Sequence, residues 1–295
     1  MKKIIKRSLF IILAIVLGWV VHYAWVSFPI VSGFGAKQLC SAIFVSGRDK
    51  DDVLKNELAD FPLSLGTYTV NMEDSSVTGT VFGMAKKKAL YRKGIGATVI
   101  SSFTENEVRA QPFNIPPLPT VDQDTVAWPM GNKFADTFPA HINKEKLQAA
   151  VDKAFEEPYT DKKVRTRAVV VLYDGQFVLE KYAPGFNKDT KMYGWSMAKS
   201  VTSALIGTLV KQGKLDVLKP APVPEWSNSN DPRHNITLED LLHQHSGLNF
   251  VEDYAGASDV TNMLYKEGDM AAFTARHPLE KTPGTEFSYT SGNSN

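Results

Sequence analysis

The stretch Ser196-Met197-Ala198-Lys199 decides how this chain is interpreted, because an apolar helical pattern follows it directly. Small or apolar side chains recur at the spacing of one helix face, namely Val201, Ala204, Leu205, Thr208 and Leu209. Gly213 is a suitable helix end. The pattern therefore predicts a buried helix that opens with a serine and a lysine on one face, within reach of each other.

This pairing suits nucleophilic chemistry. A serine hydroxyl needs a base before it attacks a carbonyl, and a lysine can serve if burial disfavours its ammonium form. The helix N-terminus also stabilises negative charge that develops nearby. However, 20 serines and 25 lysines in 295 residues make a single Ser-x-x-Lys match expected by chance. By itself the pattern favours an N-cap serine followed by a solvated lysine, so the context must decide.

Composition bounds the class of protein. A formal net charge of +1 and 43% hydrophobic residues are ordinary for a globular protein and show no bias toward nucleic acid. The length allows about two domains. The single cysteine, Cys40, excludes an intramolecular disulfide, and no metal site or cofactor is predicted. The sequence leaves the oligomeric state open.

Residues 9–26 form an almost unbroken apolar run, long enough at about 1.5 Å per residue to cross the hydrocarbon core. Trp19, Tyr23 and Trp25 lie toward its far end, where an aromatic belt is expected. Basic residues precede the run, which predicts a cytoplasmic N-terminus, an inner-membrane anchor that contacts lipid, and a periplasmic remainder. The alternative is a cleaved signal peptide, for which residues 31–33 are a fair cleavage site.

The chain divides by pattern into successive regions. We predict a cytoplasmic basic segment at 1–7, a transmembrane anchor at 8–28, a β-rich accessory region at 29–110, a connector at 111–134 and a main domain at 135–295. In the accessory region the patterns predict a short helix at 51–59 and strands at 67–71, 77–84, 89–92 and 98–103. The run Lys86-Lys87-Lys88 is interpreted as a solvated turn or edge, with a membrane-surface contact as the alternative. The connector is marked by Pro112, Pro116, Pro117, Pro119 and Pro129.

The main domain mixes helical and strand signals. A helix is predicted at 144–155, and two β-rich runs at 168–173 and 176–182 flank Asp174-Gly175 as in a hairpin. Thr237 and Asp240 have capping-box spacing, and two short helices are predicted within 259–276. This order favours an α+β fold, a sheet with helices packed on it.

Two later segments accompany the Ser196 helix: residues 236–248 (ITLEDLLHQHSGL) and residues 283–291 (PGTEFSYTS). Together the three resemble the serine β-lactamase and penicillin-binding protein family, in its class C and 6-aminohexanoate-oligomer hydrolase branch. The resemblance covers residues 141–295. It implies a β-lactamase/transpeptidase-like fold, with a sheet flanked by helices and a helical subdomain, and acyl-enzyme hydrolysis of an amide or ester in a small or peptide-like substrate.

The resemblance also implies roles for individual residues. Ser196 corresponds to the acylated nucleophile, Lys199 to the group that takes or relays its proton, and Tyr289 to the second proton-transfer group. Ser291 stands where the family's Y-x-N segment has an asparagine, so it is expected to support the site. The alternative function within this fold is a β-lactam sensor or a catalytically silent penicillin-binding-like protein.

One family motif is not found in the sequence. The [KH]-[ST]-G strand normally follows the tyrosine segment, but the chain ends six residues after Tyr289. The resemblance therefore predicts a C-terminally incomplete member that is inactive as it stands. The S-D-N segment of class A enzymes also does not occur.

The remaining ionisable candidates are interpreted as structural. His243 and His245 resemble a metal pair, but the family segment places them at a helix-to-turn corner, and no further ligand is predicted. Asp240 could orient a histidine in a Ser-His-Asp triad, yet Ser246-Gly247 does not have the sequence context of a nucleophile elbow.

Overall fold

The computed structural model describes residues 2–117, 120–134 and 137–295. Its helices are α1 (Lys2–Phe44), α2 (Lys50–Asn56), α3 (Glu105–Ala110), α4 (Lys144–Lys153), α5 (Met197–Lys211), α6 (Leu238–Leu242), α7 (Asp259–Lys266) and α8 (Met270–Ala275). Its strands are β1 (Gly66–Asn71), β2 (Ser76–Val81), β3 (Met84–Arg92), β4 (Gly96–Val99), β5 (Ala168–Tyr173) and β6 (Gln176–Tyr182). Pro119 of the predicted connector lies outside the described residues.

Contacts divide the chain into two compact units, one formed by residues 1–113 with 193–295 and the other by residues 114–192. The first unit thus brings the accessory region together with residues that the linear division assigns to the main domain. The linear domain boundaries themselves stay a prediction.

Helix α1 has two dissimilar halves. Positions 9–21 are exposed although they carry only apolar side chains and one glycine, whereas positions 30–33 are buried. Exposed apolar side chains on a long helix are stable in a lipid environment and costly in water. Among the described residues, α1 is the one helix that is long and apolar enough to cross a membrane.

The second half of α1 packs on a four-stranded antiparallel sheet of order β1-β2-β3-β4. Leu39, Cys40, Val53, Val77 and Ala89 are fully buried in the core between them. Helix and sheet approach closely at Gly79, where an added Cβ would lie 2.4 Å from the carbonyl oxygen of Ser32. Glycine is therefore required at that position of β2, because any side chain would displace the helix backbone.

Two details of this sheet differ from the sequence prediction. The strand predicted at 77–84 covers nearly all of β2, a tight turn at Phe82-Gly83 and the first residue of β3. The predicted turn at Lys86–Lys88 is wrong, since these lysines lie within β3. The predicted edge agrees with Lys86 and Lys87, which precede the residues of β3 that pair with β4. The ammonium of Lys88 binds Asp74 and Glu105, so the charge that suggested a turn is neutralised by neighbouring carboxylates.

The second unit contains the predicted hairpin. Strands β5 and β6 pair antiparallel in the described residues, and Asp174 and Gly175 both have positive φ, 49° and 71°, as a type I′ turn requires. Asn143 caps α4 by accepting from the backbone N–H of Lys146.

Short helices α6, α7 and α8 pack around two small cores in the first unit. Trp226, Ile236 and Leu248 belong to one of them, and Phe250, Val260 and Met263 form the other. The Arg233 guanidinium donates to the carbonyl oxygens of Ala275 and His277, which joins the loop before α6 to the end of α8. The predicted capping box at Thr237 and Asp240 is confirmed at the start of α6. These contacts fix the loops that carry residues 283–291.

Candidate active site

The backbone turns sharply into α5 immediately before Ser196. Trp195 has a φ of +42°, a left-handed conformation that is strained for a bulky residue and recurs at functional sites. Ser196 occupies the N-cap position, but its side chain makes no capping hydrogen bond. The Ser196 side chain therefore does not cap the helix, and its Oγ has other hydrogen-bond partners.

Those partners are the two other predicted proton-transfer groups. Tyr289 Oη donates to Ser196 Oγ at 2.5 Å, and Lys199 Nζ donates to the same oxygen at 3.4 Å. The Lys199 ammonium lies 5.0 Å from the centre of the Tyr289 ring. Lys199 is one helical turn beyond Ser196, whereas Tyr289 comes from a loop 93 residues later. Folding thus brings the distant Tyr289 to the neighbouring Ser196 and Lys199.

Ser291 lies on the far side of the lysine, as its position in the motif suggests. Lys199 Nζ also donates to Ser291 Oγ at 3.4 Å. The lysine therefore bridges two serine hydroxyls, the exposed one on α5 and the buried one on the loop. A bridged lysine has little freedom to rotate away from the Ser196 hydroxyl.

The residues of this site lie in a part of the chain that matches a known family. The family model described as Beta-lactamase matches residues 151–295, a range that contains Ser196, Lys199, Tyr289 and Ser291. This match confirms the resemblance drawn from the three motifs and, with it, the α+β fold class.

The β-lactamase-like chain is also similar to a solved structure described as a 6-aminohexanoate-dimer hydrolase, from Bacillus anthracis. The two share 22% sequence identity with a TM-score of 0.36, and the match covers 50% of this chain and 40% of that one. The present chain thus spans less than half of the length of that protein.

Within the β-lactamase region, Gln244 holds the tyrosine loop in place. This residue is buried and has a positive φ of 61° at the corner after α6. Its side-chain oxygen accepts from the backbone N–H of Thr290 at 2.9 Å, and its carbonyl oxygen accepts from the N–H of Ser288 at 2.7 Å. Tyr289 lies between these two anchored positions, so the corner at Gln244 sets where its hydroxyl points.

Glu252 holds Ser291 in the same way. One carboxylate oxygen accepts from the Ser291 hydroxyl at 2.6 Å, and the other accepts from the Ser291 backbone N–H at 2.8 Å. Tyr254 Oη donates to the first of these oxygens at 2.9 Å. Burial raises the pKa of the Tyr254 hydroxyl, and the bond to Glu252 adds to this, so Tyr254 remains a donor at neutral pH.

Sequence reasoning missed both Gln244 and Glu252. Gln244 lies inside a family-like segment, between two histidines that are the more obvious functional candidates. Glu252 stands in a loop with no periodic pattern, and its partner is 39 residues away. Only the observation that Ser291 replaces an asparagine could have suggested that a further polar group supports it.

The segment that carries His243 and His245 is held by hydrogen bonds that stabilise the fold. His245 Nδ1 lies 3.1 Å from Asp240 Oδ1, while the other Asp240 oxygen accepts from Thr237 at the start of α6. Ser246 Oγ donates to Asn293 instead of to a histidine, so no Ser-His-Asp triad forms here. The described residues contain no cluster of three or more metal-ligating side chains.

The prediction that α5 is a buried helix is wrong for the described structure. The helix bounds agree with the pattern, but Val201 is 60% exposed and Leu205 is 62% exposed. No described element packs over this apolar stripe. The periodicity reports which face of a helix is apolar, and it carries no information about what covers that face.

Proposed function

We propose that this chain is a membrane-anchored serine hydrolase that acts through an acyl-enzyme on an amide or ester. The observation that supports this most is the convergence of Tyr289 Oη and Lys199 Nζ on one oxygen, Ser196 Oγ. A nucleophile with a proton acceptor within hydrogen-bond reach is the basic requirement of covalent acyl transfer. The polar character of Ser291 and Glu252 behind the lysine is consistent with that role.

The proposed reaction has two halves. The reacting form of the Lys199–Tyr289 pair holds one proton fewer than an ammonium beside a phenol, so that it can act as a base. Ser196 Oγ attacks the substrate carbonyl carbon, its proton passes to the pair, and the carbonyl oxygen becomes an oxyanion near the N-terminus of α5. The pair then protonates the leaving nitrogen or oxygen, which departs and leaves an ester on Ser196. In the second half a water molecule gives its proton to the pair and attacks the ester. The acid is released, and the Ser196 hydroxyl is restored.

We also propose that α1 anchors the protein in the inner membrane with the hydrolase on the periplasmic side. The exposed apolar half of α1 supports the anchor, and the basic residues that precede it support the orientation. The alternative cleavage site at 31–33 lies within the helix, where Ser32 is fully buried and donates to the carbonyl of Ala85 at 2.6 Å. A buried helical segment is a poor substrate for a peptidase, which favours an uncleaved anchor.

We propose, as expected from the sequence, that these 295 residues turn over little or no substrate, and the exposure of the site to solvent supports this. Tyr289 and Ser196 are both exposed, and electrostatic stabilisation of an oxyanion weakens in contact with water. A small, reactive serine probe is therefore the suitable first test, since it needs little binding energy.

The test is covalent labelling of the full chain by a fluorophosphonate probe, followed by mass spectrometry of the labelled peptide. We expect the label on Ser196, and we expect Ser196→Ala to abolish it. Ser200→Ala is the matched control, because Ser200 is an exposed serine one turn further along α5. Labelling that survives Ser196→Ala would exclude Ser196 as the nucleophile. Incubation with a nitrophenyl ester and with nitrocefin then separates turnover from persistent acylation.

A further inference from the structure

The turn between β2 and β3 exposes two large apolar side chains. Phe82 is 66% exposed and Met84 is 56% exposed. The turn has two residues, Phe82 and Gly83, with φ of 51° and 73°. Asparagine and glycine are favoured in such a turn because they tolerate positive φ, whereas a phenylalanine is strained there.

The tip lies beside the point where α1 changes character. The Phe82 ring makes an edge contact with Phe28, with a centroid distance of 5.8 Å. Phe28 follows the exposed Trp25 and precedes the buried Ile30. If the apolar run begins near Leu9, about 30 Å of helix separates it from Phe28, which matches the thickness of a hydrocarbon core. The turn is therefore level with the exit of α1 from the bilayer.

Basic groups accompany the apolar tip. Lys86 is exposed and lies two residues after Met84 in β3. Lys266 donates from Nζ to the carbonyl oxygen of Val26, which places a second ammonium beside α1 near the same level. Ammonium groups close to apolar side chains are expected at the boundary between acyl chains and lipid phosphates.

We propose that Phe82 and Met84 insert into the interface of the bilayer that α1 crosses, so that the β2–β3 turn is a second membrane contact. This inference rests on the proposed membrane anchor. The occupant of the apolar tip is lipid rather than protein, because the tip is continuous with the lipid-facing half of α1 and is flanked by groups suited to lipid phosphates. With two contacts, the unit that contains Ser196 cannot rotate freely about the axis of α1.

The test uses fluorescence of an environment-sensitive dye on single introduced cysteines. Cys40 is fully buried, and burial raises the pKa of its thiol to about 12, so it should stay unlabelled. Phe82→Cys and Met84→Cys are each labelled with a nitrobenzoxadiazole dye in the full chain. The proteins are reconstituted in vesicles of phosphatidylcholine and phosphatidylglycerol, with and without lipids that carry a quenching nitroxide.

Two further positions complete the experiment. Ile95→Cys is the matched control, since Ile95 is an exposed apolar residue at the turn that joins β3 to β4, at the opposite end of β3. Trp25→Cys reports whether α1 itself lies in lipid. We expect nitroxide quenching and blue-shifted emission at positions 25, 82 and 84, and neither at 95.

Quenching at position 25 with positions 82 and 84 indistinguishable from position 95 would overturn the second contact and leave the anchor intact. A blue shift at position 82 without quenching by lipid would also overturn it, because the tip would then be covered by protein. The absence of quenching at all four positions would overturn the anchor together with this inference.

Discussion

Replacing Glu252 by glutamine should slow acylation of Ser196 without unfolding the site. Each oxygen of the Glu252 carboxylate accepts one hydrogen bond from Ser291, one from its hydroxyl and one from its backbone N–H. Glutamine keeps the shape of the side chain but offers only one acceptor oxygen. The backbone N–H cannot turn away, so the amide NH2 would face the Ser291 hydroxyl. That hydroxyl would then accept from the amide NH2, in competition with the Lys199 ammonium, and would lose the acceptor for its own proton.

The magnitude follows from this mismatch. A polar contact with a donor facing a donor costs about 1–3 kcal/mol, and the lower end applies because Glu252 is only half-buried. Since about 1.4 kcal/mol corresponds to a factor of ten in rate, we expect Glu252→Gln to slow labelling about tenfold. Glu286→Gln is the matched control: Glu286 is exposed, is paired with Lys281 at 3.6 Å, and is not in contact with Ser291.

The assay is the second-order rate of fluorophosphonate labelling in four proteins: wild type, Glu252→Gln, Ser291→Ala and the double variant. If Glu252 acts through the Ser291 hydroxyl, the glutamine substitution should change the rate less than about twofold once that hydroxyl is removed. An equal slowing in both backgrounds would refute the reasoning, because Glu252 would then act independently of Ser291. A Glu252→Gln rate equal to that of Glu286→Gln would refute it as well.

Three other predictions can be tested on the same protein. Gly79→Ala should destabilise the first unit by about 1–3 kcal/mol in chemical denaturation, because the added Cβ meets the Ser32 carbonyl. Gly207→Ala is the control: it has open space around it in the middle of α5 and should be neutral or stabilising by up to about 1 kcal/mol. Equal effects of the two substitutions would contradict the close packing of α1 on β2. The Arg233 side chain lowers the pKa of the Asp231 carboxyl to about 2. The ion pair therefore stabilises the fold fully above the unfolded pKa of about 4, and this stabilisation is lost as the pH falls toward 2. Between these pH values the melting temperature of Asp231→Asn should fall less than that of wild type, and an equal fall in both proteins would count against the ion pair. The chain should stay in the membrane fraction after an alkaline carbonate wash, and recovery of a soluble form that begins near Phe34 would show cleavage instead.

The sequence predicted most accurately what depends on neighbouring residues. The hairpin turn at Asp174-Gly175, the capping box at Thr237 and the bounds of α5 all follow from short-range preferences of the backbone, and the structure shows each of them. The family motifs pointed to Ser196, Lys199 and Tyr289, which the fold brings together. Their catalytic roles stay a prediction.

The sequence was less informative where contacts join distant parts of the chain. The hydrogen bonds of Glu252 to Ser291 and of Gln244 to Thr290 have no periodic signature, so nothing in the spacing predicted them. Charge patterning misplaced Lys86–Lys88, because a run of lysines does not reveal that Asp74 and Glu105 lie opposite. Hydrophobic periodicity located the apolar face of α5, but it did not indicate that Val201 and Leu205 are exposed.

Helix α1 continues without a break from its exposed apolar half into the half that packs on the accessory sheet, and this has a mechanical consequence. A protein tethered by a flexible linker samples a volume whose radius grows with the square root of the linker length. Here no linker intervenes between the exposed residues at 6–23 and the buried residues at 30–33. If α1 spans the bilayer, Ser196 therefore stays at a fixed height above it, and substrates must come to that thin layer. Inserting a few flexible residues after position 28 would release this constraint, but it would also interrupt α1 between its exposed half and the half that packs on the sheet.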